Sequence, residues 1–289
     1  MIFIKTLLLG IVAGVTAFFP VSSAGAVVLC SRLFSVQVDH RLFTAILLGI
    51  FLAMVLSMFQ DLVRLGYSLG GIMRDLFYNM KAYLFSRGGQ NEDYRRVLAG
   101  NYRNLLALLL LALVPAILLS ILLGRAVQYA YGSFLTIGMG FFISAVILLV
   151  SSYMNVPEKG PRQMKPQEAL ILGCFQGVAF LPGISKIAAV SSAGFLCGIS
   201  RRLSVIFAYL LGLVSFFMML LPGRVHPAFA GIPGSGVLQC ILGFAGAFGI
   251  GMTLIEKAQR LLSKETNRIF AGANVVLGMA ALLIHLLAR

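Results

Sequence analysis

The chain has 289 residues, 60% hydrophobic and only 11% charged, and its mean hydropathy is +0.97. A soluble domain of that length needs far more polar surface, so the composition specifies a polytopic membrane protein. The net charge of +14 does not indicate nucleic-acid binding. The basic residues lie between apolar runs, no DNA- or RNA-binding motif is present, and basic loops are what the positive-inside rule predicts.

The first apolar region, residues 3–34, breaks at Pro20-Val21-Ser22-Ser23. Its Lys5, the apolar run 7–19 and Ala24-Gly25-Ala26 imitate a signal peptide with its cleavage site. That reading is rejected because Val21-Ser22-Ser23-Ala24-Gly25 recurs inside the chain as Val190-Ser191-Ser192-Ala193-Gly194. A continuous span is expected at 41–59. Residues 60–103 are expected as a long loop, in which the stretch from Arg64 to Phe85 mixes Arg and Lys with Leu and aromatics and predicts an amphipathic helix along the membrane interface, near anionic phospholipids, with a turn at 88–93. Further spans are expected at 104–123 and 133–153. The second apolar region, 168–199, breaks at Pro182-Gly183-Ile184-Ser185, and spans at 203–221, 236–256 and 269–287 follow. Cys30, Cys174, Cys197 and Cys240 form no CxxC, and they read as small packing residues.

The two broken regions share more than the repeated pentapeptide. Gly10, Gly14 and Phe18-Phe19-Pro20 precede the first copy, and Gly173, Gly177 and Phe180-Leu181-Pro182 precede the second, with a few extra residues after the second proline. Proline, serines and glycines at the centre of an apolar region suit a helical hairpin that enters the membrane and returns. Charge tests this topology. With 60–103 on the cytoplasmic side, sixteen of the 23 Lys and Arg residues fall there, and only Lys5, Arg32, Arg41, Arg125, Arg224 and Arg289 fall outside. The asymmetry holds only if each broken region returns to the side it entered. The first hairpin then enters from outside and the second from the cytoplasm. The expected fold is therefore all-α: one membrane domain over 1–289, six transmembrane helices plus two re-entrant helical hairpins, with halves 1–153 and 168–289 in inverted-topology repeat. The one remaining basic residue, Lys186, falls at a break.

In element order and in both hairpin motifs the chain resembles the undecaprenyl-pyrophosphate phosphatases of the bacitracin-resistance type. The resemblance covers nearly the whole chain and is densest at 10–25 and 171–198. It implies a multi-pass protein of the bacterial inner membrane that handles a C55 polyprenyl (undecaprenyl) phosphate or pyrophosphate lipid in cell-wall carrier recycling. The family's chemistry carries over poorly. Two positions four residues apart that are usually Glu are Ala13 and Ala17, and a Thr and a His of the first motif are Ala24 and Ala26. In the second motif an Arg is Lys186, and the following Ser and Thr are Ile187 and Val190. A Glu common just beyond is Ile206.

Pyrophosphate hydrolysis needs neutralised phosphoryl oxygens and an activated nucleophile. The nine acidic residues all fall in loops or at span ends, and His40, His226 and His285 lie outside both motifs. No carboxylate or imidazole is expected at the breaks, so no metal site and no cofactor is evident; a divalent cation such as Mg or Ca is expected only if hydrolysis survives. An ammonium near the bilayer centre costs about 3 kcal/mol on the insertion scale, so Lys186 needs a partner. The expected ligand set is Lys186 with the hydroxyls of Ser22, Ser23, Ser185, Ser191 and Ser192, around an anionic head group. Gln176 faces the same place or joins two helices. Three functions follow: a lipid-binding protein with lost or weakened hydrolysis that exchanges the lipid head between leaflets; a phosphatase with Ser22 or Ser23 as nucleophile beside Lys186; and a structural or partner-binding membrane protein, for which a homodimer is compatible.

Overall fold

The computed structural model describes residues 1–85, 94–154, 158–221 and 234–287. The turn expected at 88–93, and Arg87, Arg224, His226 and Arg289, lie outside the described residues. Twelve helices account for the described secondary structure: α1 (Ile2–Phe18), α2 (Ser23–Phe34), α3 (His40–Ser57), α4 (Phe59–Phe85), α5 (Asn101–Leu122), α6 (Gly124–Tyr131), α7 (Phe134–Tyr153), α8 (Pro166–Val178), α9 (Lys186–Leu196), α10 (Arg201–Leu220), α11 (Val237–Leu261) and α12 (Lys264–Leu287). Six of them, α3, α5, α7, α10, α11 and α12, are long and apolar enough to cross a membrane. They fall on the six expected spans. The largest differences, five residues each, are at the end of α11, which runs on to Leu261, and at the start of α12, which begins at Lys264.

Both broken regions are interrupted where expected. α1 and α2 are separated at 19–22 and pack on one another, as do α8 and α9 on either side of 179–185. Part of the packing around the two broken regions corresponds. α1 lies against α11 and α3; α8 lies against α5 and α10. α3 meets α10, and α7 meets α12. Glycines set the close approaches. Gly10 and Gly14 abut the backbone of Gly243 and Ala247 on α11, while Gly173 and Gly177 abut Ala112 and Ala116 on α5. A small residue every fourth position lets helix backbones touch, which drives association where no hydrophobic effect operates.

The helix α4 begins earlier than the charge pattern suggested, directly after α3. Met73, Phe77, Met80 and Leu84 stand exposed along one side at helical spacing, while Asp75 and Ala82 are buried on the other. Asp75 accepts a 2.6 Å bond from Arg103 on α5 and has Arg74 and Arg95 nearby. The Arg103 hydrogen bond, outweighing partial burial, holds its carboxyl below the ordinary range.

Two outcomes follow from this packing. Gly183 has φ +88°, and a Cβ there would overlap the carbonyl oxygen of Ile137. Gly183→Ala therefore combines left-handed strain with overpacking and should cost about 2–5 kcal/mol. It should lower the melting temperature in detergent; an unchanged value would contradict the close approach of this break to α7. The stabilisation from Asp75 is present above the ordinary carboxylate pKa of about 3.9 and is lost as pH falls through its lowered value. Hydrogen exchange of α4 amides should thus stay slow from pH 7 to pH 5, about one unit above that pKa, and should speed up at neutral pH in Asp75→Asn. Equal exchange in the variant would exclude this anchor.

Candidate site at the paired helix breaks

Breaking a helix inside a membrane frees backbone groups that lipid cannot satisfy. Here side chains from other helices satisfy them. The Tyr209 hydroxyl on α10 donates to the Phe18 carbonyl at 2.6 Å, and Asn274 Nδ2 on α12 donates to the Pro20 carbonyl at 2.9 Å. At the second break Ser144 on α7 donates to the Gly183 carbonyl at 3.2 Å and accepts from the Ser185 amide at 2.9 Å. The breaks also meet each other: Ser22 Oγ accepts from the Gly183 amide at 3.1 Å, 161 residues away in the chain.

Each break ends in a capped helix. Ser22 is the N-cap of α2 and accepts from the Gly25 amide; Ser185 is the N-cap of α9 and accepts from the Ala188 amide. The next residue in each case opens the helix: Ser23 in α2, Lys186 in α9. Both are buried, at 7% exposure each. Among the described residues neither side chain has a hydrogen bond or an ion pair. The Lys186 ammonium instead lies over the ring of Phe216 on α10, 5.3 Å from its centroid, and 6.0 Å from that of Phe180. The breaks thus touch through Ser22 and Gly183, and the helices that begin beside them open with a hydroxyl in one case and an ammonium in the other. Both groups, and the helix N-termini that carry them, favour negative charge.

The other expected site residues are placed differently. Ser191 and Ser192 lie inside α9, about 9 Å or more along its axis from the Ser185 cap. Ser191 donates to the Ile187 carbonyl, and Ser192 bonds Ser151 on α7 at 3.0 Å, which in turn accepts from Asn267 on α12. Among the described residues Ser192 joins helices, Ser191 bonds only within its own, and neither borders a break. Gln176 Nε2 donates to Ser215 on α10. Ser215 gives its own proton to the Leu211 carbonyl, which fixes the amide orientation and leaves Gln176 Oε1 buried without a donor. The sequence analysis missed Ser144, Tyr209 and Asn274, each a polar residue with apolar neighbours on both sides inside a span. In a membrane that is itself a signal.

The positions where the resemblance implies acids and hydroxyls are filled with packing. Ala13, Ala17, Ala24, Ile187 and Val190 all belong to one buried hydrophobic core, Ala26 is buried beside them, and Ile206 packs on the core's edge. Among the described residues no three His, Cys, Asp or Glu side chains gather. The acid nearest in sequence to the second break, Glu168, is in the first turn of α8, about 15 Å along the helix from Val178. There it pairs with Lys159 at 2.5 Å and accepts from the Lys165 amide. Two described cavities, of about 590 and 340 Å³, open among residues 96–105, 161–162 and 200–206; neither is lined by a residue of either break.

The family model described as "Bacitracin resistance protein BacA" matches residues 6–280. Among similar proteins, the undecaprenyl-diphosphatase of Mycobacterium ulcerans is 26% identical over 280 residues, covering 96% of this chain and 94% of that one. The undecaprenyl-diphosphatase of Mycobacterium tuberculosis is 25% identical over 285 residues, covering 97% and 95%. A match of this extent, on a chain with six helices able to cross a membrane and two interrupted hairpins, makes this a multi-pass membrane protein that belongs to the bacitracin-resistance BacA family.

Proposed function

We propose that this protein binds the phosphate head of a polyprenyl lipid at its paired breaks without the hydrolysis its relatives' names describe. The observation that carries this reading is the pairing of a buried, unpartnered Lys186 with apolar packing at Ala13, Ala17, Ala24, Ile187 and Val190. A cation is kept at the break while the groups that activate a nucleophile are replaced by core. The aromatic faces of Phe180 and Phe216 hold the ammonium weakly, and exchanging them for a phosphate would give it a charged hydrogen bond. Ser23 and the first-turn amides of α2 and α9 would add neutral donors. Lysine cannot make arginine's bidentate grip, so a single-point contact is expected.

Among the described residues no cluster of His, Cys, Asp or Glu stands ready to hold a divalent cation. The partly corresponding packing around the two broken regions supports the inverted repeat, and with it exchange of the head between leaflets of the bacterial inner membrane. No acid lies at the described breaks to couple that exchange to protons, which favours passive exchange over pumping.

A second reading, retained hydrolysis, is favoured by the relatives named undecaprenyl-diphosphatase. Ser23 would be the nucleophile, since Ser22 Oγ already accepts two amides. No base is placed beside either hydroxyl among the described residues.

Purified protein should retain a polyprenyl phosphate in native mass spectrometry, and Lys186→Met should weaken retention about tenfold or more, the worth of one hydrogen bond to a charged group. It should release no phosphate from polyprenyl pyrophosphate above background. Release that disappears in both Lys186→Ala and Ser23→Ala would establish the phosphatase reading. Equal retention in wild type and Lys186→Met would leave only a structural role for the lysine.

A further inference from the structure

We propose a second anion site, remote from the breaks, in which Arg96 and Arg162 hold a phosphate-bearing group at the basic end of the molecule. The cavity of about 590 Å³ is lined by both arginines together with Leu98, Gly100 and Asn104. That size is ordinary for a small-ligand pocket. No acid is among its described lining residues, and neither arginine has an ion pair or hydrogen bond among the described residues. The neighbouring arginines differ: Arg74, Arg95 and Arg103 all share Asp75, and Arg64 bonds Tyr102. Arg96 and Arg162 are both exposed and both line this cavity, so an anion bound there can meet positive charge from two sides.

The frame around the pair is built. Asn79 on α4 clamps the Arg95 backbone with two 2.8 Å bonds, one to its carbonyl and one from its amide. Arg103 donates to the Val97 carbonyl at 3.1 Å, and Asn104 ties the loop that carries Arg162 to α5 through the Pro161 carbonyl at 2.5 Å. These bonds fix the backbone on both sides of the cavity. At its floor α5 begins after Gly100 with no side-chain cap, so its first amides add partial positive charge.

Arginine's planar fork suits phosphate oxygens, and both a lipid head group and free phosphate present them. The exposed row Met73, Phe77, Met80 and Leu84 on the adjoining α4 would lie in lipid, which brings head groups to the cavity mouth. On the charge asymmetry this is the cytoplasmic leaflet, where anionic lipids concentrate.

The chain contains no tryptophan, so Leu98→Trp gives a single fluorophore at the cavity. Its emission would be followed in nanodiscs of phosphatidylcholine with increasing phosphatidylglycerol, and in detergent with inorganic phosphate. The expected result is a saturable response that needs about tenfold more of the probe in Arg96→Ala/Arg162→Ala. A response to phosphatidylglycerol alone assigns the head group; a response to inorganic phosphate assigns the free ion. No response to either probe, or the same midpoint in the double variant, overturns the site. Native mass spectrometry of the tryptophan-free protein checks that Leu98→Trp has not created or destroyed binding: loss of a phosphatidylglycerol or phosphate adduct in the double variant supports the site, and equal adducts overturn it. Lys186→Met should leave the response unchanged, so this site and the one at the breaks fail separately.

Discussion

Everything at the centre of this protein depends on satisfying backbone that two interrupted helices leave bare. The hydrogen bond from the Gly183 amide to Ser22 Oγ does this for both breaks at once. It joins the cap of one hairpin to the turn of the other, so neither break is complete alone. Ser144, Tyr209 and Asn274 close the remaining groups from three separate spans. A buried unpaired amide or carbonyl costs about 1–3 kcal/mol even in a soluble core. That cost explains why polar residues persist among apolar neighbours in these spans.

The same constraint fixes where chemistry can occur. Ser22 and Ser185 spend acceptor lone pairs on capping, which leaves each hydroxyl its proton to donate to a ligand. Only the residues that follow them, Ser23 and Lys186, keep side chains with nothing to bond. Ser23 is a neutral donor and Lys186 a charged one, the pair on which the proposed anion binding rests. The alanines and branched residues at 13, 17, 24, 187 and 190 finish the argument from the other side. They have become part of the core that holds the hairpins together, and a single reversion to Glu at 13 or 17 would place an unpaired carboxylate in it.

Much of this was legible in the sequence. The six spans, both interruptions and the isolation of Lys186 all follow from hydropathy, proline position and charge placement. The literal repeat was the misleading part. Val190 to Gly194 copies Val21 to Gly25, but the first copy straddles a break while the second lies within α9. The residues that correspond in space are Ser22 with Ser185 and Ser23 with Lys186, related by their distance from a proline and by no shared pentapeptide. Capping depends on backbone conformation, which a serine inside a helix does not share. Long-range partners such as Asn274 and Tyr209 were unreadable because nothing local to them names Pro20 or Phe18.

A structure determined with a polyprenyl phosphate bound would test the central claim most directly. The account predicts the lipid phosphate within hydrogen-bonding reach of Lys186 Nζ and Ser23 Oγ, with the ammonium lifted from the rings of Phe180 and Phe216. A carboxylate paired with that ammonium, or a phosphate bound with Lys186 still packed against both rings, would contradict it.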